Sequence, residues 1–433
     1  MIRAVLFLFF FFFVVGPVQG APFPGSAKTL TRTSDAVKIS GMDIPPFLGA
    51  NIHLLRLFAF REGHFQPIPF QVDQKDSKGE WVWDVAFRDG RTRDDQDPEG
   101  ESLLDENDRL VFLAGDTGDR ASFPERIKAA KVLEIEVIDP VNHGSGWTYL
   151  ALFPHAPPPL SPVRYMTYDP QKRNVYSPLY SLSYSTKKIA VMDALTFRKK
   201  SILDRLKIRI KAEIKFGFIK TAMHFNEEDV RGYHVGYIAG PVRIINRTVN
   251  QVRLPLGLRT PKVVCDHYFY PRYAEIPLLL HMNFLVSRAS LLLSADYRGA
   301  PFSQAFLPGL KEAVKLTGRT PLRLDPAKGD WIALDGDLGT VINAMQVPVG
   351  ISRYISTRPH LISDRERSYP PESVPGSDPE AVIEIRTAPD LPKGDYLLYT
   401  VFLFSPDHFK RGDEKKLLNI LNRPLTVRVG QIQ

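Results

Sequence analysis

The chain has 433 residues, with 56 Lys and Arg against 48 Asp and Glu, a single Cys, 36 Pro and 29 Gly. Hydrophobic residues make up 44% and charged residues 24%, a balance that excludes wholesale disorder, collagen, a coiled coil and a disulfide-stapled miniprotein. The net charge of +8 is mild and evenly spread, which argues against nucleic acid as a partner.

Residues 1–20 read as a signal peptide. Arg3 supplies a positive start, and Ala4 to Val15 is an uncharged apolar run. That run is shorter than the ~20 residues a bilayer-spanning helix needs. Gly16 and Pro17 break it, and Val18-Gln19-Gly20 places small residues before Ala21. The expectation is an exported protein, periplasmic or extracellular, with no transmembrane helix after signal removal. The best later apolar stretch, Ile276 to Ser287, is short and holds His281 and Asn283.

Trp81 and Trp83 share a strand face just before an acidic segment, Asp84 to Arg109. Its density of oxygen ligands in a turn-rich loop suits structural calcium. The candidate ligands are Asp95, Asp97, Glu99, Asp105, Asn107 and Asp108. Pro98 and Glu99 depart from an EF-hand loop, and the other reading is a solvated loop paired with its own arginines. Leu110 to Ala114 then reads as a buried strand, and Gly115 to Asp119 as a turn with capping aspartates. The Asp116-Thr-Gly triplet has no second copy, which a protease dyad requires.

The clearest boundary is Phe153 to Pro162, with prolines at 154, 157, 158, 159 and 162. Such a stretch favours a stiff extended linker. It divides an N-terminal β-sandwich module, residues 21–152, from a large domain, residues 163–433. Within the latter, Leu206 to Phe218 alternates strictly, with Lys207, Arg209, Lys211, Glu213 and Lys215 opposite an apolar row. That basic row could meet an anionic polymer, or simply be solvated. Shorter alternating runs occur at 131–139, 147–153, 381–388 and 395–404. Helical signals are few: Pro308 to Leu316, and Glu414 to Leu421 with Asp413 as cap. The fold class is therefore all-β, a small sandwich followed by a large antiparallel β-sandwich, with few short helices.

The densest polar and aromatic cluster is Asp266-His-Tyr-Phe-Tyr-Pro-Arg-Tyr273, with Tyr233 and His234 upstream. Tyrosine rings stack on sugar rings, and Asp, His and Arg bond hydroxyls. The ligand-binding candidates are Tyr233, His234, Asp266, Tyr268 and Tyr273. If the protein is an enzyme, His267, Tyr270 and Arg272 are the candidates for the base and cation of a polysaccharide lyase-like reaction. The other reading is a tyrosine ladder packed on a neighbouring strand. Cys265 and His267 share a face, but nothing else marks a catalytic thiol.

Pro67-Ile-Pro-Phe-Gln-Val-Asp73, Leu104-Asp-Glu-Asn-Asp-Arg-Leu-Val-Phe-Leu-Ala114 and Gly240-Pro-Val-Arg-Ile-Ile245 together resemble a group of secreted bacterial proteins of mostly unassigned function. Some of that group are similar in layout to polysaccharide-processing proteins. The resemblance implies a bacterial envelope or extracellular setting and carries over no catalytic residue. The leading expectation is thus an exported protein that binds or processes a carbohydrate, binding preferred. The alternatives are a structural envelope module with protein partners and a calcium-stabilised loop, and an outer-membrane β-barrel.

Overall fold

The computed structural model describes residues 25–88, 91–92, 102–122, 127–185, 192–216, 219–254, 257, 259–282, 286–298, 301–316, 324, 328–362 and 379–432. Among these residues the chain forms five antiparallel sheets. The helices are short, chiefly Asp413–Leu417 and Asn419–Asn422. None is long and apolar enough to cross a membrane.

Two sheets enclose the first core. Ala36–Ser40, Arg109–Leu113 and Phe70–Asp73 form a three-stranded sheet, with Arg109–Leu113 in the middle. Val37, Ile39, Leu110 and Phe112 alternate onto its inner face. They pack on Leu57, Leu133, Ile135, Val137 and Leu150 of a five-stranded sheet. The opposite face carries Lys38, Val111, Gln71 and Asp73, and it turns toward the rest of the protein.

The second core lies between an eleven-stranded sheet and two five-stranded ones. The large sheet runs through Val230–Ala239, Ile244–Val252, Val263–Tyr270, Tyr273–Met282 and Gly394–Ser405 as consecutive neighbours. Its inner face supplies Ile244, Phe269, Ala274, Ile276, Leu398 and Phe402. Leu182, Leu195 and Phe197 come from one facing sheet, and Leu206, Leu293 and Ile383 from the other. Parity along each strand decides which face a residue occupies, and that decides the fate of every candidate site residue below.

The alternating strand is Leu203–Phe216, and it pairs with Val286–Tyr297 over nearly its whole length. Its apolar row, Leu206, Ile208 and Ile210, packs into the second core. This corrects the barrel reading: the apolar row faces a protein core, and each described sheet is open, with two edges.

Two pairings cross the proline boundary. Thr426–Ile432 pairs with Lys131–Ile138 in the first five-stranded sheet, Thr426 opposite Ile138. Val85–Arg88 pairs with Val230–Ala239 through Gly236 and Tyr237. The proline segment is itself anchored, because Arg56 Nε donates to the Pro158 carbonyl.

The helix expected over Pro308 to Leu316 is absent. Gly309 adopts φ +79° in a turn, a left-handed conformation incompatible with continuing a helix. Val314–Lys315 pairs instead with Gln304–Phe306. Asp413 is the first residue of its helix and not the cap, since left-handed Gly412 takes that position.

Candidate functional site

The hairpin of Val263–Tyr270 and Tyr273–Met282 separates the predicted cluster into two sets. Cys265 and His267 point inward, while Asp266, Tyr268 and Tyr270 point outward. The same rule splits the upstream pair. Tyr233 lies opposite Val249 and His234 opposite Thr248, on opposite faces of the sheet. Arg272 sits in the tight turn and is half-buried. His267, Tyr270 and Arg272 therefore do not converge, which corrects the expected catalytic grouping. A one-residue offset along a strand puts two side chains on opposite sides of a sheet.

The inward set is a closed polar nest. Tyr184 Oη and His267 Nδ1 are 2.6 Å apart, and Thr248 Oγ1 lies 3.1 Å from His267 Nε2. Both ring nitrogens are thus engaged, as one donor and one acceptor of a neutral imidazole. Burial lowers the His267 pKa to about 3. His234 stacks on Phe87 at 4.8 Å. Burial, aided by Arg173, lowers its pKa to about 4. Cys265 is buried, and burial pushes its thiol pKa up. A protonated thiol beside a neutral imidazole makes no nucleophile pair.

The outward set meets the three-stranded sheet, and here the three resemblance motifs converge. Gln71 Oε1 accepts from the backbone N–H groups of Val242 and Arg243 at 3.0 and 2.9 Å. Gln71 Nε2 donates to Asp73 Oδ1 at 2.6 Å. Arg243 Nε donates to Asp73 Oδ2 at 2.7 Å, and its Nη1 to Tyr270 Oη at 3.2 Å. A Cβ on Gly240 would fall 2.0 Å from Gln71 Oε1, so only glycine permits this approach. Burial pulls the Arg243 pKa down, but Asp73 and Tyr270 more than reverse it and hold the guanidinium charged. Its carbon lies 5.5 Å from the Tyr268 ring centre and 5.8 Å from that of Trp81, within cation–π range.

Tryptophans from the N-terminal module complete this face. Trp81 Nε1 donates to Asp266 Oδ2 at 3.0 Å. Arg247 grips Asp266 in a bidentate pair at 2.6 and 2.8 Å, and it also pairs with Glu80. Trp83 packs on Gly236, where a Cβ would fall 2.6 Å from the indole. Lys75 Nζ sits 4.5 Å over the Trp81 ring. Burial and Arg109 lower the Lys75 pKa. Tyr233 is separate from this group, with Lys262 over its ring at 5.5 Å.

At the edge of this interface lies a partly covered patch of aromatic and charged side chains, termed the recess below. Tyr270 and Tyr273 on the same face are fully buried and stacked at 4.3 Å. Tyr180 Oη donates to the carbonyls of both from the inner side, at 2.9 and 3.0 Å. Tyr268 and Tyr399 are half-buried with centroids 6.4 Å apart. Burial raises both phenol pKa values, so they remain neutral. Glu275 lies directly across from Tyr268 and is half-buried. Among the described residues its carboxylate has no hydrogen bond or ion pair. Burial raises its pKa against the pull of Lys38 and Arg243. Lys38 is exposed at the rim, its Nζ 5.7 Å from the Tyr270 ring centre. Tyr270 raises the Lys38 pKa more than burial lowers it, and Glu275 adds to the rise.

Glu275, Lys38, Arg243 and Tyr399 were not among the predicted site residues. Glu275 had a weak signal, since it is a lone charge in the run Tyr-Ala-Glu-Ile-Pro-Leu. Arg243 and Asp73 lay inside the resemblance motifs without a role. Lys38 had no sequence signal, because only edge-strand placement brings it to the recess.

The calcium reading divides. Asp95, Asp97 and Glu99 lie outside the described residues. Asp108 is buried and accepts from Lys75 N and Asp105 N, at 2.8 and 2.9 Å. Asn107 Nδ2 donates to the Asp76 carbonyl. These residues brace a turn, and no acidic or histidine group suited to a metal ion occurs among the described residues.

No protein-family model matches the chain, and no curated protein matches it. Solved structures give partial superpositions on it. An alpha-mannosidase from Enterococcus faecalis V583 superposes with a TM-score of 0.51 at 8% identity, over 94% of this chain and 45% of that one. A glycosyl hydrolase family 38 protein from Enterococcus faecalis gives 0.47 at 8% identity, over 94% and 47%. An alpha-N-acetylgalactosaminidase from Bifidobacterium bifidum gives 0.33 at 11% identity, over 54% and 36%. The chain thus spans about half the length of the first two. At such identity the first likeness shows a shared β architecture and no more.

Proposed function

We propose that the protein binds a carbohydrate in the recess between the three-stranded and eleven-stranded sheets. One observation carries this reading: Glu275, a half-buried carboxylate without a hydrogen bond or ion pair among the described residues, lies on the strand between those that carry the half-buried rings of Tyr268 and Tyr399, with Lys38 near it. Flat aromatic walls with a few polar groups of both signs make a small-ligand site. Sugar C–H faces lie on the rings, while Glu275 accepts from hydroxyls and Lys38 donates to them. The architecture shared with a protein described as an alpha-mannosidase accords with the reading, and the recess is what supports it.

Binding is preferred to hydrolysis on chemical grounds. Glycoside hydrolysis ordinarily uses two carboxylates in separate roles. Here Asp266 is clasped by Arg247 and Asp73 by Arg243, which leaves Glu275 as the uncommitted one in this recess. An envelope or extracellular setting, as the first 20 residues imply, would place the recess where glycans are met.

The test is calorimetric titration of the full chain with a panel of soluble neutral polysaccharides. The expected result is saturable binding to one glycan class. Tyr399→Ala and Glu275→Gln should each weaken it about tenfold, or ~1.4 kcal/mol. Saturable binding that neither variant alters would refute the site, and no binding to any member of the panel would refute the function.

A further inference from the structure

A second place in the molecule has the form of a ligand site and is not part of the recess. It lies on the outer face of the sheet formed by Ile219–Asn226, Leu203–Phe216, Val286–Tyr297, Glu380–Thr387 and Ile355–Ile362. A groove of about 610 Å³ opens there, lined by Lys211, Glu213, Arg288, Arg353, Glu384 and Arg386 among others. The strand registers align Lys211 with Ser290, Ser290 with Arg386 and Arg386 with Ser356, a row that alternates cation and hydroxyl across four strands. Glu213 lies opposite Arg288 one step along.

The basic row of the sequence does not act as a unit. Lys207 is buried and paired with Asp296 and Glu380, while Arg209 is paired with Glu227. Lys211 remains exposed, as does Arg288, and neither has an ion pair among the described residues. Arg353 lies over the Tyr354 ring at 4.6 Å, and Arg386 pairs with the buried Glu384 at 2.6 Å. The groove therefore has two cations without an ion pair among the described residues, two more held in place by their neighbours, and the carboxylates Glu213 and Glu384.

We infer that this groove binds an acidic polysaccharide whose oxyanions are separated by uncharged sugar units. Lys211 and Arg386 are two strands apart, about 10 Å by ordinary strand spacing, which is comparable to the length of a disaccharide. Ser290 and Ser356, at alternate positions of the row, suit the hydroxyls between the charges. Glu213 and Glu384 add negative charge to the groove, which disfavours a ligand of dense negative charge. Nucleic acid, with one charge per ~1.7 Å of duplex, is the poorer match. Carboxylate and sulfate share the required chemistry, and the experiment distinguishes them.

The full chain is titrated at low salt with hyaluronan, which carries one carboxylate per disaccharide, with kappa-carrageenan, which carries one sulfate, with neutral dextran and with a single-stranded oligonucleotide. The expected result is saturable binding of hyaluronan, kappa-carrageenan or both that weakens as salt rises. The Lys211→Glu, Arg288→Glu double variant should lose at least tenfold in affinity, while Lys211→Arg retains it. Both positions are exposed, so an unchanged thermal transition should accompany the loss. Tyr399→Ala, which acts on the recess, should leave acidic-glycan binding unchanged, so the two sites fail independently. Binding of neither acidic polymer, equal binding by the double variant, or an oligonucleotide bound as tightly as both would overturn the inference.

Discussion

The two faces of one hairpin put similar residues to different uses. On the inner face, His267 is enclosed by Tyr184 and Thr248, and burial holds it neutral. On the outer face, Asp266, Tyr268 and Tyr270 each meet an arginine, and Tyr268 also lies beside Tyr399 at the recess. The inner polar groups, Tyr184, His267 and Thr248, satisfy one another away from solvent. The outer ones face a second sheet that packs against only part of them, and Glu275 lies at the margin. A polar cluster becomes a site where the packing is incomplete, and residue type does not by itself say where that is.

The strongest way to break this comparison is at the Arg243 clamp. Arg243→Met leaves Asp73 buried without its counter-charge, which should cost about 3–5 kcal/mol in urea unfolding. Adding Asp73→Asn should restore more than half of the loss. A single variant within ~1 kcal/mol of the parent would mean that the outer face is not held by this pair.

The inner face is tested by pH. His267 and His234 have folded pKa values lowered to about 3 and about 4 by burial. The unfolded chain takes up these protons as pH falls through ~6.5, whereas the folded chain does not until its own lower values. Their contribution is therefore fully present above pH ~6.5 and is lost as pH falls toward 4, at up to ~1.4 kcal/mol per pH unit for each histidine. His267→Gln should reduce that slope by one proton's share. Comparing variant with parent isolates the histidine from Glu275, whose raised pKa acts with the opposite sign. An unchanged slope would place His267 in contact with water.

A smaller effect is expected at the junction of the motifs. Gly240→Ala forces Gln71 away from the two N–H groups it accepts from. Strain of this kind costs about 1–3 kcal/mol, measurable as a lowered thermal midpoint. The smallest effect on stability belongs to Glu275→Gln. It removes a half-buried charge that has no protein partner among the described residues, and unfolding should shift by less than ~1 kcal/mol. Its effect should appear in glycan binding instead, and a large loss of stability would recast Glu275 as structural.

Much of the fold was legible because alternation is local. The runs at 131–139, 147–153, 381–388 and 395–404 are strands within a residue or two of those limits. The helix expected at Pro308 failed where a turn glycine outweighed a short apolar spacing. The site was legible only in part. Tyr268 and Tyr273 lie on the outer face with Asp266 and Tyr270, whereas His267 and His234 lie on the far side of the sheet.

The sequence by itself determined that this chain is a β-protein, and it set apart the segments Pro67 to Asp73, Leu104 to Ala114 and Gly240 to Ile245. Only the tertiary structure decided that these segments meet. Alternation assigns residues to faces but does not say which faces meet, and that depends on contacts between strands far apart in the chain. Lys38, Asp73, Arg243 and Glu275 span 238 positions of sequence and form one electrostatic group because two sheets happen to pack there. The row of Lys211, Ser290, Arg386 and Ser356 has the same origin, since its order is the order of the strands in the sheet and not that of the chain.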